Sequence, residues 1–185
     1  PGFGRASPVK SLSTPAGAQA EPLRATRHCS TVRDDPGFCA LGKAPAGSQA
    51  APAQPAPAYS AMPPQTERIA VPDARIRAVV ALAPMAVVFT PDSLAAIKVP
   101  VRVIVAEHDA VLNGSYHGGH VVANLPQARA STVAGAGHFA FMAQSAMPMP
   151  SAAGDAAANP PGFDRAAYLL ELEQQVAGFF ADQWR

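Results

Sequence analysis

Charge is scarce in this chain. Of 185 residues only 15% are Asp, Glu, Lys or Arg, and 14 bases against 13 acids leave a formal net charge of +1. Such a balance carries no long-range field for nucleic acid or an anionic membrane surface, so neither is expected as a partner. No apolar run reaches the roughly 18 residues of a membrane-spanning helix. Aromatic residues are few, at 6%. Cysteine is limited to Cys29 and Cys39, whose spacing fits no zinc motif. The glycine-containing stretch Gly135 to His138 lacks the lysine and the second glycine of a phosphate loop. No cofactor is expected. The first residues, PGFGRASPVK, contain neither an initiator methionine nor a signal-peptide apolar core, and read as a processed or truncated start.

What remains is small and apolar. Hydrophobic residues make up 49% of the sequence, enough at this length for one globular domain with a sizeable core. Proline is plentiful, at 20 residues, and much of it falls in the Pro/Ala tract from Lys43 to Gln65. Repeated proline removes amide donors and fixes φ, so that tract is read as extended and outside the core. The two cysteines lie ten positions apart in CSTVRDDPGFC, with Asp35-Pro36-Gly37 between them. A turn there can bring them into a disulfide, which implies an oxidising, secreted or periplasmic setting; two reduced buried thiols would instead imply the cytosol.

The apolar pattern predicts alternating strands and helices. Leu23 to Cys29 reads as a short helix. IRAVVALAP, Ile76 to Pro84, is an apolar run ending at proline, as in a strand buried on both faces. SLAAIKV reads as a helical turn or two. Val101 to Val105 is β-branched at four of five positions, which predicts a strand. A helix is expected around Gly119–Leu125, then a third strand in ARASTVAGAG. Asp164 suits an N-cap, and Leu169, Leu172, Val176, Phe179 and Phe180 recur at helical spacing on one face of a last helix. This alternation predicts a parallel sheet with crossover helices, whose functional residues lie past the carboxyl ends of the strands.

Asp109 and His138 both occupy such ends, 29 residues apart, one crossover unit. Each has a plainer reading. His138, in VAGAGHFAF, can be a core histidine with a satisfied hydrogen bond. Asp109 can be an N-cap or turn residue, with Glu107 the acid in its place. His117 and His120 form H-x-x-H. Gly118 and Gly119 between them weaken the helix that would align them, so they are read as exposed polar residues and no metal is expected.

The order of an acid after one strand, a histidine after the next and a last helix resembles the C-terminal half of an α/β-hydrolase. More narrowly, the chain resembles the dienelactone-hydrolase and platelet-activating-factor-acetylhydrolase-like branch. The residues that carry this are RHCSTVRDDPGFCALG, RIRAVVALAPMAVVFTPDSLAAIKVPVRVIVAEHDAVL, VAGAGHFAFM and PPGFDRAAYLLELEQQVAGFF. The resemblance implies a partial doubly wound parallel sheet of α/β-hydrolase type over residues 1–185, with proline-rich cap and linker segments. Residues 20–70 would form the cap-like and Pro/Ala-rich part, and residues 71–185 the C-terminal strands and helices. It also implies a Ser-His-Asp hydrolase acting on a small-molecule ester or lactone. His138 would be the base and Asp109 the acid, Phe139 and Phe141 would line the substrate pocket, and the Cys29–Cys39 loop would cover the site.

The nucleophile motif departs from the family pattern. A Gly-x-Ser-x-Gly elbow is expected within GFGRASPVKS, Gly2 to Ser11. There Gly4 matches, Ala6 takes the serine slot, Pro8 the second glycine, and Ser7 stands one position late. If Ser7 were the nucleophile, Pro8 would have no N–H to offer the oxyanion and would disfavour a helix-like Ser7. The alternative expectation is a catalytically inactive hydrolase fragment or binding module.

Overall fold

The computed structural model describes residues 20–41, 73–151 and 153–184. Its centre is a parallel sheet of three strands in the order β1 (Val79–Leu82), β2 (Val101–Ala106) and β3 (Arg129–Val133). Val79 sits opposite Val101 in one ladder, and Arg102 opposite Arg129 in the other. The chain is thus of the α/β class, as the alternating pattern predicts.

The middle strand explains the layering. Successive side chains of a strand point to opposite faces. Val101 and Val103 pack on one face with Leu94, Val121 and Leu125, the last two from α4 (Gly118–Asn124) and its end. Ile104 and Ala106 pack on the other with Tyr168 and Leu172 of α5 (Arg165–Gln183). Among the described strands, β2 is the one with fully buried residues on both faces. All four residues of β1 are half-buried, with Val79 packed against one core cluster and Val80 and Leu82 against the other, so the strand expected in Ile76–Pro84 meets both layers but is less deeply buried than that reading has it. Among the described residues β1 pairs with β2 alone, so it is an edge.

Local chemistry sets the helix ends. The short helix α3 (Pro91–Ala95) begins two residues before SLAAIKV, because Thr90 and Ser93 form a reciprocal capping box with both bonds at 3.0 Å. Asp164 caps α5 by accepting the Ala167 N–H at 3.0 Å. Tyr168, Leu172 and Phe179 are the buried residues of its apolar face, with Leu169 and Val176 packed beside them. The N-terminal helix α1 runs over Ala20–Thr31 and is joined to α2 (Pro36–Ala40) by the Cys29–Cys39 disulfide, whose Cα atoms lie 5.5 Å apart. This hairpin packs through Phe38 onto Val111 and Leu112, in the loop that leaves β2.

Candidate functional site

The carboxyl rim of the sheet carries the polar residues. The backbone of the loop after β2 is tied to the loop after β3, because the His108 N–H donates to the Ala136 carbonyl at 2.8 Å. Gly135, at φ +68°, lets the chain turn sharply out of β3 where a side chain would be strained. Three residues on, His138 opens a single 3₁₀ turn, His138–Phe141. The imidazole Nδ1 of His138 donates to Asp109 Oδ2 at 2.8 Å. Asp109 cannot swing away, because its Oδ1 accepts the N–H groups of Val111 at 2.9 Å and Leu112 at 2.8 Å. With Nδ1 as the donor, Nε2 of a neutral His138 is left to accept a proton, the requirement for a general base.

Glu107 does not share this work. Its carboxylate accepts the Gly135 N–H at 2.7 Å and lies 3.9 Å from the imidazole of the exposed His108. Glu107 therefore braces the β3 turn, and the acid beside His138 is Asp109.

His138 lines a cavity of about 220 Å³ together with Val111, Phe139, Pro160 and Arg165. The two phenylalanines part company here. Phe139 stands edge-on to His138 and belongs to the cavity wall. Phe141 packs in the core against Tyr168, their ring centres 6.0 Å apart. Arg165 is buried and also lines the cavity: its guanidinium donates to Asn159 Oδ1 at 2.6 Å and to the carbonyls of Ala156 at 2.8 Å and Ala158 at 2.5 Å. An arginine at the head of α5 thus gathers the proline-rich segment around the cavity.

A second polar cluster, which the sequence reading missed, lies under the disulfide hairpin. Asp35 is buried, and its Oδ2 accepts from His28 Nε2 at 2.7 Å and from His117 Nε2 at 2.9 Å. Its Oδ1 accepts the Asn113 N–H at 3.0 Å. The Ala86 N–H in turn donates to His117 Nδ1 at 3.1 Å. Burial and these bonds compete for Asp35. Burial pushes its carboxyl up, but the Asn113 amide and the two imidazoles outweigh it and hold the group below the ordinary 3.8. His117 is held below its ordinary 6.5 chiefly by burial, with Asp35 opposing.

His28, Asp35 and His117 bring their ligand atoms within 4.8 Å of one another, close enough to hold a metal ion. The hydrogen bonds favour a different use. His117 Nδ1 accepts a backbone N–H, so the proton sits on Nε2 and points at Asp35. A cation at Nε2 would need that proton moved to Nδ1, against the Ala86 amide. The reading of His117 and His120 as exposed polar residues is corrected: His117 is buried, and half-buried His120 donates from Nε2 to the Phe89 carbonyl at 3.1 Å. The signal available was the placement of His117 directly before two glycines: a Cβ at Gly118 would overlap the Val105 side chain, so glycine there lets the start of α4 close onto β2.

Ser7, with the rest of Gly2 to Ser11, lies outside the described residues, as does the Pro/Ala tract. No described helix is long and apolar enough to cross a membrane. In comparisons with models of protein families, with curated proteins and with solved structures, the chain matches none.

Proposed function

We propose that the chain is a serine hydrolase-like protein of esterase or lactonase type, with the fold of an α/β-hydrolase and a small-molecule ester or lactone as substrate. The observation that carries this reading is the 2.8 Å bond between His138 Nδ1 and Asp109 Oδ2, formed past the ends of two adjacent parallel strands. In that chemistry His138 Nε2 removes the proton of a serine hydroxyl as it attacks the ester carbonyl, then returns it to the departing alcohol. Asp109 keeps the proton of the neutral ring on Nδ1 and stabilises the imidazolium that forms. Phe139 gives the cavity beside His138 an apolar wall. Ser7 is the serine of this chain nearest the expected elbow.

A second reading, a hydrolase-type scaffold without turnover, is favoured by Ala6 and Pro8. Proline after the nucleophile has no N–H to donate to an oxyanion, and loss of one such donor costs about 10²–10³ in rate. The two readings separate in one experiment: treatment with a fluorophosphonate probe and mapping of adducts by mass spectrometry, beside hydrolysis of a short-chain p-nitrophenyl ester. The enzyme reading expects a stoichiometric serine adduct that His138→Ala abolishes. Absence of both adduct and turnover overturns it in favour of the scaffold.

A further inference from the structure

We propose that Asp35 is a positioning residue for the Asp109–His138 pair, acting through the loop of residues 110–113 and anchored by His117. The proposal rests on the reading of that pair as the acid and base of the site, and deepens it.

Three consecutive amides decide the shape of the loop. Those of Val111 and Leu112 donate to Asp109, while the next, of Asn113, donates to Asp35 Oδ1 at 3.0 Å. The curl that aims Asp109 at His138 is therefore fixed by one carboxylate from inside the loop and one from 78 residues away. The Asn113 side chain adds a second tie, donating to the Asp34 carbonyl at 2.7 Å. Backbone packs on backbone at the same place. A Cβ at Gly37 would overlap the Ala110 carbonyl oxygen and lie 2.6 Å from Val111 Cα.

Asp35 is itself held from both sides. Its second oxygen takes the N–H of two imidazoles, and the His117 ring is set by the Ala86 amide, in the loop that leaves β1. The loops after β1 and β2 and the disulfide hairpin thus converge on one buried carboxylate. A buried carboxylate with every oxygen engaged has one orientation, and losing a partner leaves a costly unpaired group. The bonds of Asp35 go to His28, Asn113 and His117, and those of Asp109 to Val111, Leu112 and His138, so the influence of Asp35 passes through the loop.

The test is a readout of the pair itself: the downfield Nδ1–H proton resonance of His138, with fold followed by ¹H–¹⁵N dispersion. Asp35→Asn is expected to fold and to weaken or lose that resonance, because either orientation of the amide sets its NH₂ against N–H donors, that of Asn113 directly or those of the two imidazoles that hold the side chain in place. His117→Asn keeps an acceptor for the Ala86 amide but withdraws the arm to Asp35, and is expected to weaken the resonance. His117→Gln, whose amide reaches the same carboxylate oxygen, is expected to restore it. A folded Asp35→Asn with the resonance unchanged overturns the proposal. Where Asp35→Asn does not fold, His117→Asn decides in the same way. Asp109→Asn marks the resonance: if the unaltered protein lacks it, or Asp109→Asn keeps it, the pair and the positioning claim fall together. A resonance that obeys Asp35 in a chain inert to the fluorophosphonate supports positioning while the hydrolase reading fails.

Discussion

His117 and Asp35, 82 residues apart in sequence, meet inside the protein with Nε2 2.9 Å from Oδ2, and both side chains are 1% exposed. The partnership is between a buried anion and a neutral ring, because burial holds the His117 pKa below its ordinary value of 6.5 even with a carboxylate alongside. This arrangement is expected to make the protein sensitive to acid.

In the unfolded chain His117 takes up its proton near pH 6.5, whereas the folded protein resists until the pH is lower. The unfolded state therefore binds more protons in that window, and stability falls as pH falls through it. His117's contribution is complete above pH 6.5. Asp35 acts in the same direction lower down: its stabilisation is present above 3.8 and is lost as the pH drops toward its depressed folded value. Urea midpoints measured from about pH 8 to about pH 5 are expected to decline in the native protein as the pH falls below 6.5. In His117→Asn that decline is expected to be shallower. An equal slope in both would assign acid sensitivity to other groups.

Asp109→Asn probes the pair without disturbing the loop. The amide oxygen keeps the Val111 and Leu112 donors, and the NH₂ group turns toward His138 Nδ1, which must then accept. The ring proton moves to Nε2, leaving no base for a hydroxyl. In the proposed hydrolase, ester turnover is expected to fall about 10⁴-fold at neutral pH, by analogy with other triads. The urea midpoint is expected to change little. A variant that keeps its turnover would remove Asp109 from the chemistry.

What the sequence made legible followed from local chemistry. The β-branched run of Val101 to Val105 and the alternation around it predict the parallel sheet, since burial on two faces leaves a continuous apolar signature. The abrupt polarity after that run marks Asp109, and the glycine exit from β3 marks His138. The cysteine spacing permits the bridge that forms. The buried cluster was illegible for the opposite reason. Asp35 sits in a polar turn, and nothing within ten residues says that its carboxylate will be covered by α4 and the β2 loop. Phe139 and Phe141, two residues apart on a 3₁₀ turn, diverge to cavity and core, a division that apolar composition does not encode.

The Cys29–Cys39 bridge closes the hairpin that carries His28 and Asp35. In the chain-entropy picture a loop of this size contributes about 3 kcal/mol. Reduction, or replacement of both cysteines by serine, is expected to lower unfolding free energy by about that amount. Hydrogen exchange is expected to quicken first in residues 24–41 and 110–113, where the hairpin docks. Uniform loosening, with the hairpin no faster than the sheet, would contradict that view of the bridge.

Two glycines offer a paired check on the rim packing. At Gly37 a Cβ has nowhere to go, meeting the backbone of Ala110 and Val111, whereas at Gly114 nothing lies within 4 Å. Gly37→Ala is expected to cost about 1–3 kcal/mol, as overpacking does. Gly114→Ala is expected to stay within about 0.5 kcal/mol of the unaltered protein. Similar midpoints for both would mean that the hairpin does not sit against the β2 loop.

The last helix permits the same kind of comparison between adjacent face and back. Leu172 is 6% exposed and packs with Ile104 and Tyr168, while Leu170, two positions earlier and on the other side, is 65% exposed. Truncating Leu172 to alanine removes apolar contacts and leaves a void that a sheet-backed helix cannot fully close, at a cost of about 2–5 kcal/mol. Leu170→Ala removes a side chain that mostly faces water, and a change within about 0.5 kcal/mol is expected. Urea denaturation of the two variants reads the difference directly. If Leu170→Ala were the more damaging, α5 would have to present its other face to the sheet. That rotation would carry Arg165, at its first turn, away from the Ala156 and Ala158 carbonyls and open the cavity beside His138.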